Sequence, residues 1–135
     1  MLRYMLDTNL CTRVLRDRPP TVRERFNREA DGLCISSVVL MELLFGAEKS
    51  ARPEHRRAVE DFAARLEVLS FDAPAAAHAA EIRADLERRG QKIGAYDLQI
   101  AGHARSQGLV VVTGNLDEFR RVDGLRSEDW LSEHH

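Results

Sequence analysis

Leu109-Val110-Val111-Val112-Thr113 is an unbroken apolar run rich in β-branched residues, with no polar residue alternating through it. A strand with one wet face alternates, whereas a strand without alternation is covered on both faces, as in parallel sheets wrapped by helices. The neighbouring segments supply those helices. Residues 3–6 form a short apolar strand ending at Asp7, and Thr8 to Arg16 carries helical spacing through Leu10, Val14 and Leu15. Pro19-Pro20 stops this helix, and Thr21 is expected to cap a second one from Val22 to Glu29. After a turn at Asp31-Gly32, Leu33-Cys34-Ile35 reads as a strand, and Ser36-Ser37 supplies a hydroxyl cap for a helix from Val38 to Lys49. Further helices are predicted over Glu54 to Leu66, from Asp72-Ala73-Pro74 to Arg89 with Gly90 ending it, and over Gly94 to Ser106 closed by Gly108, with a short strand near Val68-Leu69. Such alternation predicts an α/β fold with an open, mostly parallel sheet and helices on both sides.

At 135 residues the chain fits one domain, 1–135. No stretch approaches the ~18 apolar residues of a membrane helix and the first residues are too short for a secretory segment, so a cytoplasmic protein is expected. Cys11 and Cys34 have no metal-binding spacing and read as reduced and partly buried.

In open parallel sheets, ligands bind beyond the carboxyl ends of the strands. Asp7 directly follows the first strand, and Thr8 and Asn9 extend that turn. Asp97 begins the helix Leu98 to Ser106, and Glu118 lies five residues past the Val110 to Thr113 strand. Glu42 is the odd acid of a helix lined by Val38, Val39, Leu40, Met41, Leu43 and Leu44, where an ionised carboxylate needs a partner. Each acid also has an ordinary explanation. Asp7 and Asp97 suit helix starts, Glu42 could occupy a solvent-facing stripe, and Glu118 could be a solvated loop acid.

Together, four carboxylates on one edge repel by about 4 kcal/mol per pair at ~4 Å and an effective dielectric of ~20, so they call for protons or cations. All-oxygen ligation selects Mg²⁺ or Mn²⁺, which suits phosphodiester hydrolysis. Asp7, Glu42, Asp97 and Glu118 are the candidate catalytic residues, with Asp7, Asp97 and Glu42 as metal ligands. Thr8, Asn9, Ser37, Thr113, Asn115 and Asp117 are candidates to orient them.

A net charge of −2 excludes a wholly basic nucleic-acid surface. If four acids share a metal site, the remaining surface is net positive. Its cations cluster at Arg13-Arg16-Arg18, Arg52-Arg56-Arg57, Arg83-Arg88-Arg89-Lys92 and Arg120-Arg121-Arg126, each of which alone reads as a solvated face. His78 with Glu81 reads as a surface pair, His103 as packing, and Phe45, Leu44 and Leu40 as core; His134-His135 is a native end or the stub of a tag.

MLDTN at 5–9, ISSVVLMEL at 35–43, IGAYDLQIAGHA at 93–104, VVVTGNLDEF at 110–119 and VDGLRSEDW at 122–130 resemble, in this order, the PIN-domain nucleases and within them the VapC toxins of bacterial toxin–antitoxin pairs. The resemblance implies a three-layer α/β/α PIN-like fold, dependence on Mg²⁺ or Mn²⁺, and endonucleolytic cleavage of RNA. It carries the family's acidic positions onto Asp7, Glu42, Asp97 and Glu118, with Asn115 and Asp117 competing for the fourth. It further implies a homodimer, inhibition by a VapB-type antitoxin, operator DNA bound only through that antitoxin, and initiator tRNA cut in the anticodon loop. A non-enzymatic Mg²⁺-binding signalling module of similar build is the alternative, but a receiver domain would need a pair of acids after the first strand and a Lys after Thr113, and neither is present.

Overall fold

The computed structural model describes residues 1–17 and 19–131. Arg18 and His134-His135 lie outside the described residues. Five strands, β1 (Tyr4–Leu6), β2 (Leu33–Ser36), β3 (Glu67–Leu69), β4 (Val110–Val112) and β5 (Ser127–Glu128), form one sheet in the order β3-β2-β1-β4-β5. Every pairing is parallel. The three central strands are buried throughout, as the unbroken apolar run at Val110 predicts, while the edge strands β3 and β5 are partly exposed.

The connections are helical: α1 (Thr8–Arg16) and α2 (Pro20–Arg28) between β1 and β2, α3 (Ser37–Ser50) and α4 (Pro53–Ala63) between β2 and β3. Then α5 (Ala73–Arg88) and α6 (Ala95–Gln107) lead to β4, and the short α7 (Leu116–Phe119) to β5. The chain steps from β1 towards β3 and then crosses back to β4. Right-handed crossovers, the hand imposed by twisted parallel strands, therefore set the first four helices on one face and α5 and α6 on the other. The result is the expected three layers.

Several local expectations are corrected. Helix α2 starts at Pro20, with Pro19 as its cap and no side-chain cap bond, because proline's fixed φ and missing N–H suit the first helical position better than Thr21 would. Helix α6 starts at Ala95, so Asp97 sits inside its first turn and not ahead of it. Phe45 is 63% exposed rather than part of the core, while Leu40 and Leu44 pack partly against it. The elements after Thr113, α7 and β5, are not foreseen by any pattern in the sequence.

Behind β5, Trp130 is 2% exposed, meets the Tyr4 ring edge-on at 5.3 Å and lies under the Arg25 guanidinium. This anchors the last strand to the core. Cys11 and Cys34 are free thiols, fully buried where partial burial was expected. His103 is buried against Ser36 at 2.8 Å, and His78 accepts from Arg105, which also reaches Glu81. His103 therefore packs, as expected, whereas His78 and Glu81, expected as a pair, are joined at the surface through Arg105.

Candidate active site

β1 and β4 are the neighbours from which the chain departs in opposite directions, and their carboxyl ends open the crevice where open α/β sheets bind ligands. Asp7 stands there, 3% exposed. Its N–H donates to the Val112 carbonyl at 3.1 Å, its Oδ1 accepts from the Leu10 N–H at 2.8 Å, and its Oδ2 accepts from the Thr113 hydroxyl at 2.5 Å. The residue thus caps α1 and faces the crevice at once. Burial is the main reason its carboxyl is pushed up to about 6, with the charges of Glu42 and Asp129 adding to the shift and the bonds from Thr113 and Leu10 opposing it.

Glu42, in the second turn of α3, accepts from the Thr8 hydroxyl at 2.5 Å, which turns it toward the end of β1. Asp97 folds back over Gly94, where an added Cβ would come within 3.3 Å of its Oδ2. Burial, a hydrogen bond shared with Glu118, and the charges of Glu118, Asp7 and Glu42 push its carboxyl up to about 7. Asp7 and Asp97 therefore each feel the neighbouring acids, and these two carboxyls, which resist ionisation in that company, mark a place that attracts cations.

Glu118 lies in α7, where Oε1 accepts from the Gly94 N–H at 3.0 Å and Oε2 from the Asn115 side-chain amide. The Asn115 N–H in turn donates to Thr113 at 2.8 Å. A cleft of about 370 Å³ is lined by Asp7, Thr8, Asn9, Glu42, Asp97 and Asn115, among others. Two of the supporting residues stand apart from it. Ser37 accepts from the Phe71 N–H at 3.0 Å, joining α3 to the segment after β3, and Asp117 is exposed with no polar partner among the described residues.

Asp129, just past β5, was missed. Its charge acts on Asp7, and its Oδ1 accepts from the Leu131 N–H at 2.7 Å. Its signal in the sequence is its place in the VDGLRSEDW segment at 122–130, since a two-residue strand leaves no apolar run to mark it.

Among the described residues no three acid, His or Cys side chains converge tightly enough to ligate one ion outright. Glu42 and Glu118 are each turned onto local donors. The donor set still fits a hard divalent cation, being entirely oxygen, negatively charged and partly withdrawn from water.

The PIN domain family model matches residues 4–125. The chain is 56% identical over 131 residues to the tRNA(fMet)-specific endonuclease VapC of Shigella flexneri, covering 96% of this chain and 99% of that protein. It is 48% identical over 132 residues to ribonuclease VapC2 of Haemophilus influenzae, covering 97% of this chain and all of that one. A chain of the DNA-bound VapBC crystal structure from Salmonella typhimurium superposes with a TM-score of 0.91 at 56% identity, over 96% of this chain and 99% of its own. VapBC2 from Rickettsia felis, bound to a DNA fragment from its promoter, gives 0.89 at 36% identity over 96% and 99%.

Proposed function

The chain belongs to the PIN-domain family, in its VapC branch, and on that premise we propose that it is a toxin endoribonuclease that hydrolyses RNA phosphodiester bonds and is neutralised by a VapB-type antitoxin. The observation that carries the chemistry is Asp97, whose carboxyl is pushed up to about 7 by burial first and then by Glu118, Asp7 and Glu42 at the β1–β4 crevice. Asp7, Glu42 and Asp97 are the proposed holders of Mg²⁺ or Mn²⁺. When bound, such an ion supplies the positive charge that draws a phosphodiester to an acidic edge and makes water a competent nucleophile near neutral pH.

The protein's own groups do the rest. Thr113 fixes one oxygen of Asp7 and Thr8 fixes Glu42, so that both point into the cleft. Gly94 and Asn115 hold Glu118 beside Asp97, where it is placed to accept a proton as water attacks. We assign the fourth position to Glu118, which shares a hydrogen bond with Asp97 and is supported by Asn115, in preference to Asp117, which has no polar partner among the described residues.

The tRNA(fMet) specificity in the names of relatives at 56% identity makes initiator tRNA the proposed substrate, and the resemblance to the VapC toxins puts the proposed cut in its anticodon loop. The proposed protein is a cytoplasmic homodimer built on one domain, 1–135, which meets operator DNA only through its antitoxin. No helix among the described residues is long and apolar enough to cross a membrane. A groove of about 510 Å³ between α1, α3 and α4 shares Thr8 and Glu42 with the acidic cleft, and would let an antitoxin segment reach the acids. Sequencing the 5′ ends of RNAs from cells expressing the chain tests the substrate. New ends in the anticodon loop of initiator tRNA are expected, and cuts spread evenly over messenger RNA would refute it.

A further inference from the structure

Two arginine-rich stretches that read in the sequence as separate solvated faces meet in space. The Arg89 guanidinium donates to the Arg121 carbonyl at 2.6 Å, and the Arg121 guanidinium donates to the Lys92 carbonyl at 2.6 Å. The turn after α5 and the segment after α7 therefore form one surface.

The arginines of α5 and its C-cap have acidic partners there: Arg83 meets Glu87 at 3.1 Å, Arg89 meets Asp85 at 2.7 Å, and Arg88 lies 3.9 Å from Asp85. Lys92, Arg120 and Arg121 differ. Arg121 uses its guanidinium on a carbonyl, which leaves its charge uncancelled, and the exposed side chains of Lys92 and Arg120 have no polar or charged partner among the described residues.

The backbone sets all three cations close to Glu118. Lys92 lies two residues, at most ~7 Å of chain, before Gly94, whose N–H holds Glu118. On the other side Arg120 follows α7, and the Arg121 N–H donates to the Glu118 carbonyl at 3.2 Å. Cations with no acidic partner suit phosphates strung along a flexible strand, which need charge rather than a shaped pocket.

We propose that Lys92, Arg120 and Arg121 form the track that grips RNA phosphates flanking the scissile bond, on the α5–α7 side of the acidic cleft. This rests on the ribonuclease reading. The track supplies positive charge beside an edge that would otherwise repel its substrate.

The test is steady-state cleavage, in Mg²⁺ or Mn²⁺, of an RNA that the native chain cuts. The Lys92→Gln/Arg120→Gln double variant is expected to raise KM about tenfold with kcat within about twofold. The slope of log kcat/KM against log salt should flatten by ~1.4, at ~0.7 for each single-strand phosphate that the protein ceases to neutralise. Arg28→Gln serves as the control, since Arg28 is an exposed cation at the end of α2, ahead of β2 and so on the opposite edge of the sheet. It should leave both quantities unchanged. An unaltered KM and slope in the double variant would overturn the track, as would an equal loss in Arg28→Gln, or a defect confined to antitoxin binding. A native chain that cuts no RNA at all removes the ribonuclease reading and the track with it.

Discussion

Asp7 has two carboxylate oxygens and uses them for different ends. Oδ1 caps α1 through Leu10, and Oδ2 is held by Thr113 at the crevice. From the sequence these were competing explanations, because a one-dimensional pattern assigns a residue one role. Its place after a strand was legible; the bond to Thr113, 106 residues away, was not. That bond is one of the few forces holding the carboxyl down against burial. Thr113→Val removes it, along with the acceptor of the Asn115 N–H, so Asp7 should hold its proton to higher pH and bind cations less well. Titrating cleavage with Mn²⁺ at pH 7 should show the half-saturating concentration raised by about tenfold or more, the usual effect of losing a group that orients a ligand. An unchanged Mn²⁺ requirement would refute a role for Thr113 in tuning Asp7.

Elements were legible in proportion to their length and apolar pattern. The β4 run announced a strand buried on both faces, and the Ala-rich stretch after Asp72 announced α5, with Asp72 capping it through the Ala75 N–H at 3.0 Å. Four-residue α7 and two-residue β5 carry no periodicity, and they hold Glu118 and precede Asp129, so the less legible part of the site lies on the shortest elements. The α5–α6 packing was equally hidden. A Cβ at Gly102 would come within 2.6 Å of the Ala79 backbone, so the two helices touch through main chain. Gly102→Ala should lower stability by about 1–3 kcal/mol through overpacking, against the ~1 kcal/mol that alanine gains in helix propensity. Urea denaturation reads the difference, and a stabilised variant would show that α5 can move aside cheaply.

At the scale of the molecule, the parallel order β3-β2-β1-β4-β5 brings together acids from positions 7, 42, 97 and 118. The sheet edge on which they meet followed from the strand-helix alternation in the sequence, but their mutual repulsion needed three dimensions. Burial, with that repulsion added to it, has a pH signature. Asp7 and Asp97 lose their protons near 3.8 in the unfolded chain but only near 6 and 7 in the folded one, so their contribution to stability is complete below about pH 4 and is lost as pH rises through 6 and 7. In chelator, Asp97→Asn, which cannot ionise, should therefore melt a few degrees above the native chain at pH 8 and close to it at pH 4; an equal gap at both would deny the coupling. Millimolar Mg²⁺ should narrow the difference at pH 8 by stabilising the folded native chain.

The same variant tests the central claim that these converging acids cut RNA with a divalent ion. RNA cleavage by the native chain and by Asp97→Asn is compared in Mg²⁺ or Mn²⁺ and in chelator, on protein whose melting shows it folded. Cleavage is predicted only for the native chain with metal, with a loss of at least ~100-fold in Asp97→Asn. Native-like cutting by Asp97→Asn, or cutting by the native chain that survives chelation, would contradict the account.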